Sequence, residues 1–255
     1  MYKVLPLFKS HYSIGKSVLT LDKPEEHQNN GPDSIIRLCK EAKINTYYLV
    51  EDSISGFLQA HINSKANKLK MIYGLRLTVC DKASEKNEES LSSNNKVIVF
   101  CKNEEGYKRL IKIYSFAARD GFYYKPRIDY ENLKRLWADE DLKLCIPFYD
   151  SYIFNNMFLS AKCMPNFSFT TPEFFVEDND LPFDDYLKLK LEKILNGCCP
   201  IHRVKSIFYN KKEDFINYLT FRCINKRTTL DKPQFEHMTS NEFCFESWQE
   251  AESKS

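Results

Sequence analysis

Short apolar runs rich in β-branched and aromatic residues alternate along this chain with stretches whose apolar positions recur at helical spacing. The pattern is most complete from Lys96 to Ile128. Val97 to Cys101 is a continuous apolar run, which suits a strand covered on both faces. Asn103 can cap the helix that follows, with Glu104 and Glu105 at the positive end of its dipole. Tyr107, Leu110, Ile111, Tyr114, Ala117 and Ala118 then make one apolar face. Gly121 stands where a left-handed cap belongs, and Pro126-Arg127-Ile128 returns to extended structure.

The same reading predicts seven strands, over 3–8, 46–50, 69–79, 97–101, 142–148, 173–176 and 199–208. Between them lie helices. One opens at Pro32 and buries Ile35, Ile36, Leu38, Cys39 and Ala42. Others span about 55–66, 130–137, 152–161 and 183–195, the last closed by Asn196-Gly197. A capping-box spacing from Asn210 to Glu213 precedes a helix carrying Phe215, Ile216, Leu219, Cys223 and Ile224. The stretch 81–95 is polar and is expected to be a mobile surface loop. The tail from Ser247 is polar. A single domain over 1–250, with a polar tail 251–255, is the expected organisation. Repeated βα units favour a parallel sheet, and periodicity alone does not separate a closed barrel from a doubly wound sheet.

With 255 residues, 43% of them hydrophobic, the chain can fill one large core. A net charge of +2 supplies no global field for nucleic acid or a membrane surface. No apolar run approaches the ~20 residues of a membrane span. The 9 cysteines are scattered, with only Cys198 and Cys199 adjacent and no CxxC pair, so reduced thiols in a cytosol are expected. The 5 histidines, His11, His27, His61, His202 and His237, show no metal-ligand spacing. Phosphate-loop, dinucleotide and G-x-S-x-G patterns are absent. Lys102, Lys108, Arg109, Lys112, Arg119, Lys125 and Arg127 give the central unit a positive side. Lys188, Lys190, Lys193, Arg203, Lys205, Lys211 and Lys212 give the later third another. Such runs are most often solvated faces, so nucleic acid is a weak candidate partner. Phe122-Tyr123-Tyr124 and Phe174-Phe175 suit core and barrel lining better than a stacking platform.

The order of residues carries a resemblance. A strand, then K-N-x-E-G-Y-K-x-L-x-K-x-x-S-x-A, then G-F-Y-x-x-P-R-I resembles the PHP (polymerase and histidinol phosphatase) domain at the N-terminus of the alpha subunit of C-family bacterial replicative DNA polymerases. Further landmarks occur in the family's order: Ser10-x-Tyr12-Ser13, Ile54-x-Gly56, Leu69 to Gly74, Phe174 to Glu177, Phe208-Tyr209 with Glu213-Asp214, Thr228 to Asp231, and Phe245-x-Ser247. The resemblance spans Leu5 to about Ala251. It implies an α/β fold, a distorted seven-stranded β/α barrel of the TIM-like kind.

Metal-bearing members of that family hold divalent ions at the barrel mouth for phosphoester hydrolysis. Here the ligand positions are changed. The motif His-x-His-Ser/Thr-x-Tyr/Phe-Ser reads Leu7-Phe8-Lys9-Ser10-His11-Tyr12-Ser13, which puts Leu7 and Lys9 at the two histidines. The Asp-His pair after the second strand falls on Val50 and Glu51, the Glu after Ile-x-Gly on Arg76, and the late Asp-x-His on Ser206 and Phe208. A one-residue shift would bring in His11, Glu51 or Asp52, but no His-x-His exists anywhere in the chain. The resemblance therefore implies no metal, no cofactor and no catalytic residues. It predicts a charge cluster in which Lys9 and Arg76 stand roughly where metal charge stood and pair with Glu51. No polymerase palm is expected in this polypeptide, which would act as a scaffold or docking module in DNA replication. Its partners would be a polymerase core or a proofreading exonuclease, in the cytoplasm of a bacterium or of a virus-infected host. The alternatives are a metal-dependent phosphoesterase or 3′-5′ exonuclease with atypical ligands, and a decoy that competes for host replication proteins.

Overall fold

The structure, a computed structural model, describes residues 3–26, 31–230 and 240–254. In chain order its elements are β1 (Leu5–Phe8), α1 (Ile35–Glu41), β2 (Thr46–Glu51), α2 (Phe57–Ala66), β3 (Lys70–Cys80), α3 (Glu88–Leu91), β4 (Asn95–Cys101), α4 (Glu104–Arg119), β5 (Arg127–Asp129), α5 (Tyr130–Leu136), β6 (Leu142–Ile146), α6 (Tyr152–Phe158), β7 (Glu173–Val176), α7 (Asp184–Leu195), β8 (Ile201–Ile207), α8 (Phe215–Lys226) and α9 (Phe245–Ser253). All seven expected strands form, and the three-residue β5 is an addition to them. Helices flank a mixed sheet, the α/β class of a distorted seven-stranded β/α barrel. The sheet is not all parallel. β4 runs antiparallel to both β3 and β6, because the segment between β3 and β4 carries only the four-residue α3 and reverses the chain instead of crossing over.

Packing divides the chain into two compact units. One comprises residues up to Ile72, Glu177–Asp184 and those from Arg203 onward. There β1 lies between β2 and β8, parallel to both, with Leu7 opposite Tyr48 on one side and Ser206 on the other. Phe8 meets Tyr47 edge-on and Phe245 with the rings tilted by 35°. Ile35, Ile36, Leu38 and Cys39 are buried as their spacing predicts. The polar tail expected from Ser247 is instead part of α9. Trp248 stacks on Phe245 and donates its indole N–H to Val4 O at 2.8 Å.

The other unit comprises Tyr73–Val176 and Asp185–His202, with strand order β5-β3-β4-β6-β7. Asn103 caps α4, accepting from Gly106 N at 2.8 Å. Gly121 is not left-handed. It is glycine because the chain passes so close that an added Cβ would lie 1.9 Å from Arg127 O. Gly197 does adopt the left-handed turn expected after α7, with φ 78°. Arg127, counted above among the basic side chains of a surface, is fully buried. Its guanidinium donates to Glu85 O, Ser90 Oγ and Gly121 O, with the Tyr123 ring 5.1 Å away. The 81–95 stretch is held by these bonds. Ala83, Ser90, Ser93 and Asn95 are buried within it, and Ala83 N donates to Asp129 Oδ2 at 2.9 Å.

Candidate functional site

Six of the seven positions that the resemblance aligned with metal ligands come together at the carboxyl ends of three neighbouring strands. Leu7 lies on β1 with Lys9 just past it. Val50 and Glu51 end β2, and Ser206 lies on β8 with Phe208 just beyond. The parallel register of β1 with both neighbours sets these residues at one level. Arg76 belongs to the other unit, on β3. Its Nη2 donates to Asp150 Oδ2 at 3.0 Å and to Tyr149 O at 3.1 Å.

Glu51 is wholly buried. Its Oε1 accepts from Ser10 N at 2.8 Å, and its Oε2 accepts from the Ser13 hydroxyl, which itself accepts from Asp52 N at 3.0 Å. Burial pushes the Glu51 carboxyl above the ordinary value, while the nearby Lys9 charge and the bonds from Ser10 and Ser13 pull it back. Lys9 is 3% exposed, with its Nζ 3.3 Å from Asp52 Oδ1, and Lys16 reaches the other Asp52 oxygen at 3.1 Å. The Ser17 hydroxyl bridges Lys9 O and Phe208 O, tying β1 to the segment after β8.

A second buried carboxylate repeats this pattern. Glu177 follows β7 and accepts from Ser206 N at 3.0 Å, Ser206 Oγ at 2.9 Å and Asn179 Nδ2 at 3.0 Å. Burial raises its pKa too, against those hydrogen bonds and the Lys205 charge. Lys205, also buried, donates to Asp178 O at 2.7 Å and to Glu242 Oε2 at 3.2 Å, and Lys212 bridges Glu242 and Glu250. The two clusters share one design. A Lys-Ser pair ends a strand, and the serine N–H donates to a glutamate from another segment of the chain.

Both oxygens of each carboxyl already accept a hydrogen bond from the protein. Leu7 and Val50 supply no ligand atom, and the Phe208 ring stacks on Phe243 at 5.6 Å and on Tyr218 at 5.9 Å. The residues that a one-residue shift would enlist are also engaged: His11 Nδ1 lies 3.3 Å from Leu19 O, and Asp52 faces two lysines. Among the described residues no three His, Cys, Asp or Glu are grouped to hold a metal ion. His27, His237 and Asp231 lie outside those residues.

The sequence did not single out Glu177, Asn179, Lys205 or Glu242 as members of the site. Lys-Ser stands at 9–10 and 205–206, but also at 16–17 and 254–255, so the dipeptide marks nothing until Glu51 and Glu177 arrive from elsewhere in the chain. Much of the expected positive surface is neutralised by neighbours. Lys108 pairs with Glu104 and Glu105, Arg109 with Asp141, Arg119 with Asp120, and Lys211 with Glu213. Six of the nine cysteines are buried core residues, and Cys198 is exposed. Burial pushes the Cys80, Cys101 and Cys163 thiols up to about 11, and raises Cys39 and Cys145 further.

A mixed β/α barrel with this strand-end constellation defines a PHP-type domain without a metal cluster among its described residues. Residues 26–152 match the PHP domain family. The domain is homologous to part of the bacterial DNA polymerase III alpha subunit. The alpha subunit of Chlamydia muridarum is 38% identical over 85 residues, 32% of this chain and 7% of that protein. That of Aquifex aeolicus is 31% identical over 117 residues, 42% of this chain and 10% of that protein. That of Borreliella burgdorferi is 29% identical over 104 residues. The chain spans a tenth or less of the length of the curated relatives it matches. No helix among the described residues is long and apolar enough to cross a membrane.

Proposed function

We propose that this PHP domain is catalytically inactive and serves as a scaffold or docking module in DNA replication, in the cytoplasm, holding a polymerase core or a proofreading exonuclease. One observation carries the reading. The positions that the motif order aligns with the metal ligands of relatives hold Leu7, Lys9, Val50, Glu51, Ser206 and Phe208, and both oxygens of the one carboxyl among them accept from Ser10 and Ser13. Lys9, whose ammonium pairs with Asp52, supports the reading that protein charge stands in for metal charge there. Arg76, in the other unit, pairs with Asp150 and takes no part in this cluster. With the chemistry gone, what remains to be selected is the fold and its surface. Homology to the polymerase III alpha subunit directs the choice of partner.

The test is a pull-down from extracts of the source with the tagged chain, probed for polymerase and exonuclease subunits, alongside an assay of phosphoester hydrolysis in Mn²⁺ or Zn²⁺. Capture of a replication subunit without metal-stimulated hydrolysis is the expected result. Hydrolysis that is lost in Glu51→Gln or His11→Ala would overturn the proposal in favour of an atypical phosphoesterase.

A further inference from the structure

The turn between α7 and β8 carries two adjacent cysteines, Cys198 and Cys199, that the docking reading does not use. All nine cysteines lie among the described residues, and this pair stands apart from the other seven. Cys39, Cys80, Cys145, Cys163, Cys223 and Cys244 are buried, and burial pushes the half-buried Cys101 thiol up to about 11. Cys198 is open to solvent. Cys199 is half-buried close to Tyr152 of α6, whose phenol is pushed up to about 12 by its own burial and by the Cys199 charge. The backbone fixes the pair at both ends. Cys198 N–H donates to Leu195 O at 2.7 Å, at the end of α7, and Pro200 O accepts from Phe174 N at 2.8 Å on the way into β8. Between them Asn196 and Gly197 are left-handed, with φ 41° and 78°, and a Cβ added at Gly197 would meet nothing within 4 Å. The turn is therefore open to a reagent from solvent.

We propose that Cys198 and Cys199 form a reversible thiol-oxidation site, with Cys198 as the attacking sulfur, Cys199 as the resolving sulfur and a low-molecular-weight disulfide as the oxidant. The Cys198 thiolate attacks one sulfur of the disulfide RSSR, a mixed disulfide forms on Cys198, and RS⁻ leaves. The Cys199 thiolate then attacks the Cys198 sulfur, the Cys198–Cys199 bond forms, and the second RS⁻ leaves. Two electrons pass from the pair to RSSR, and the two protons lost by the cysteines end on the released thiols. The environments assign the order: the exposed sulfur meets the reagent, and the sheltered one is held next to it. An accessible thiol beside a resolving thiol is the arrangement that redox-sensing sites use. Adjacency also sets the character of the product. Neighbouring Cα atoms are about 3.8 Å apart across a trans peptide, closer than the roughly 4.4–6.8 Å of ordinary bridges. The closed ring is strained and readily reduced, which makes it a labile bond and not a structural one. This inference rests neither on the docking role nor on the strand-end clusters.

The test exposes the reduced full chain to an excess of oxidised glutathione at mildly alkaline pH and follows it by intact-mass spectrometry and peptide mapping. The parent chain should lose two hydrogen atoms, keep no glutathione and carry its cross-link between Cys198 and Cys199, and reduced glutathione should reverse the change. Cys199→Ser should retain glutathione on Cys198. Cys198→Ser should react at least about tenfold more slowly, because the exposed sulfur is gone. A chain that stays reduced overturns the proposal, and so does first modification at any other cysteine. A parent chain that keeps its glutathione as Cys199→Ser does would show that Cys199 resolves nothing. A Cys198→Ser variant that reacts as fast as the parent would show that Cys198 is not the attacking group.

Discussion

Glu51 and Glu177 are the residues on which the account of the site turns. Each is a buried carboxyl held by a serine N–H and a serine hydroxyl, and each has a pKa raised above the ordinary value of 4.5. Below that value the carboxyls are protonated in folded and unfolded chains alike. As pH rises the unfolded chain ionises first, so the folded state loses stability until its own carboxyls ionise. Thermal melts from pH 4 to 9 should therefore show Glu51→Gln and Glu177→Gln gaining on the parent chain as pH rises from about 4.5. A constant offset at all pH values would mean that neither carboxyl is perturbed. Alanine is a different change: Glu51→Ala leaves Ser10 N and the Ser13 hydroxyl without their acceptor and should cost roughly 1–3 kcal/mol. Glycines at close approaches are equally specific. Gly106→Ala and Gly121→Ala place a methyl 2.2 Å from Asp141 O and 1.9 Å from Arg127 O. Backbone must move in both, so chemical denaturation should report a loss of roughly 1–3 kcal/mol for each.

Among the elements, the segment 81–95 departs furthest from its composition. Its polar sequence offers little to bury, yet it is fastened from outside by Arg127, whose guanidinium reaches Glu85 O and Ser90 Oγ. A planar fork with several fixed donors is needed for that geometry. Arg127→Met, and to a lesser degree Arg127→Lys, should open 84–92 to limited proteolysis and hasten its amide exchange while β4 stays protected. Unchanged cleavage there would show that Arg127 does not hold the segment. The strands, the α4 cap and the α7 stop were legible in the sequence because each depends on near neighbours in the chain: an apolar run, an Asn three residues before the N–H it accepts, a glycine after a helix. The antiparallel β4, the buried Arg127 and the role of Gly121 were not legible. Each is decided by where the chain returns after a turn, six residues on for Gly121 and Arg127 and some forty for Arg127 and Glu85. The polar reading of the end of the chain failed for the same reason. Trp248 looks isolated among polar residues until Val4 O and Phe245 come to meet it.

At the level of the whole molecule, motif order singled out seven positions, and the fold sets six of them at one level across β2, β1 and β8. What the motif could not tell was how the vacated positions are filled. The answer is two Lys-Ser-Glu clusters, one of which requires Glu177, Asn179 and Glu242 from distant segments. A buried charge is tolerated when it is paired and hydrogen-bonded, and both clusters meet that condition with protein groups alone. The central claim is that these internal bonds occupy the place of a metal centre. The most direct measurement is an anomalous difference map from crystals soaked in Mn²⁺ or Zn²⁺. The account predicts no ion held by the side chains at the ends of β1, β2 and β8. An ion bound there by Glu51, Asp52 or His11 would contradict it.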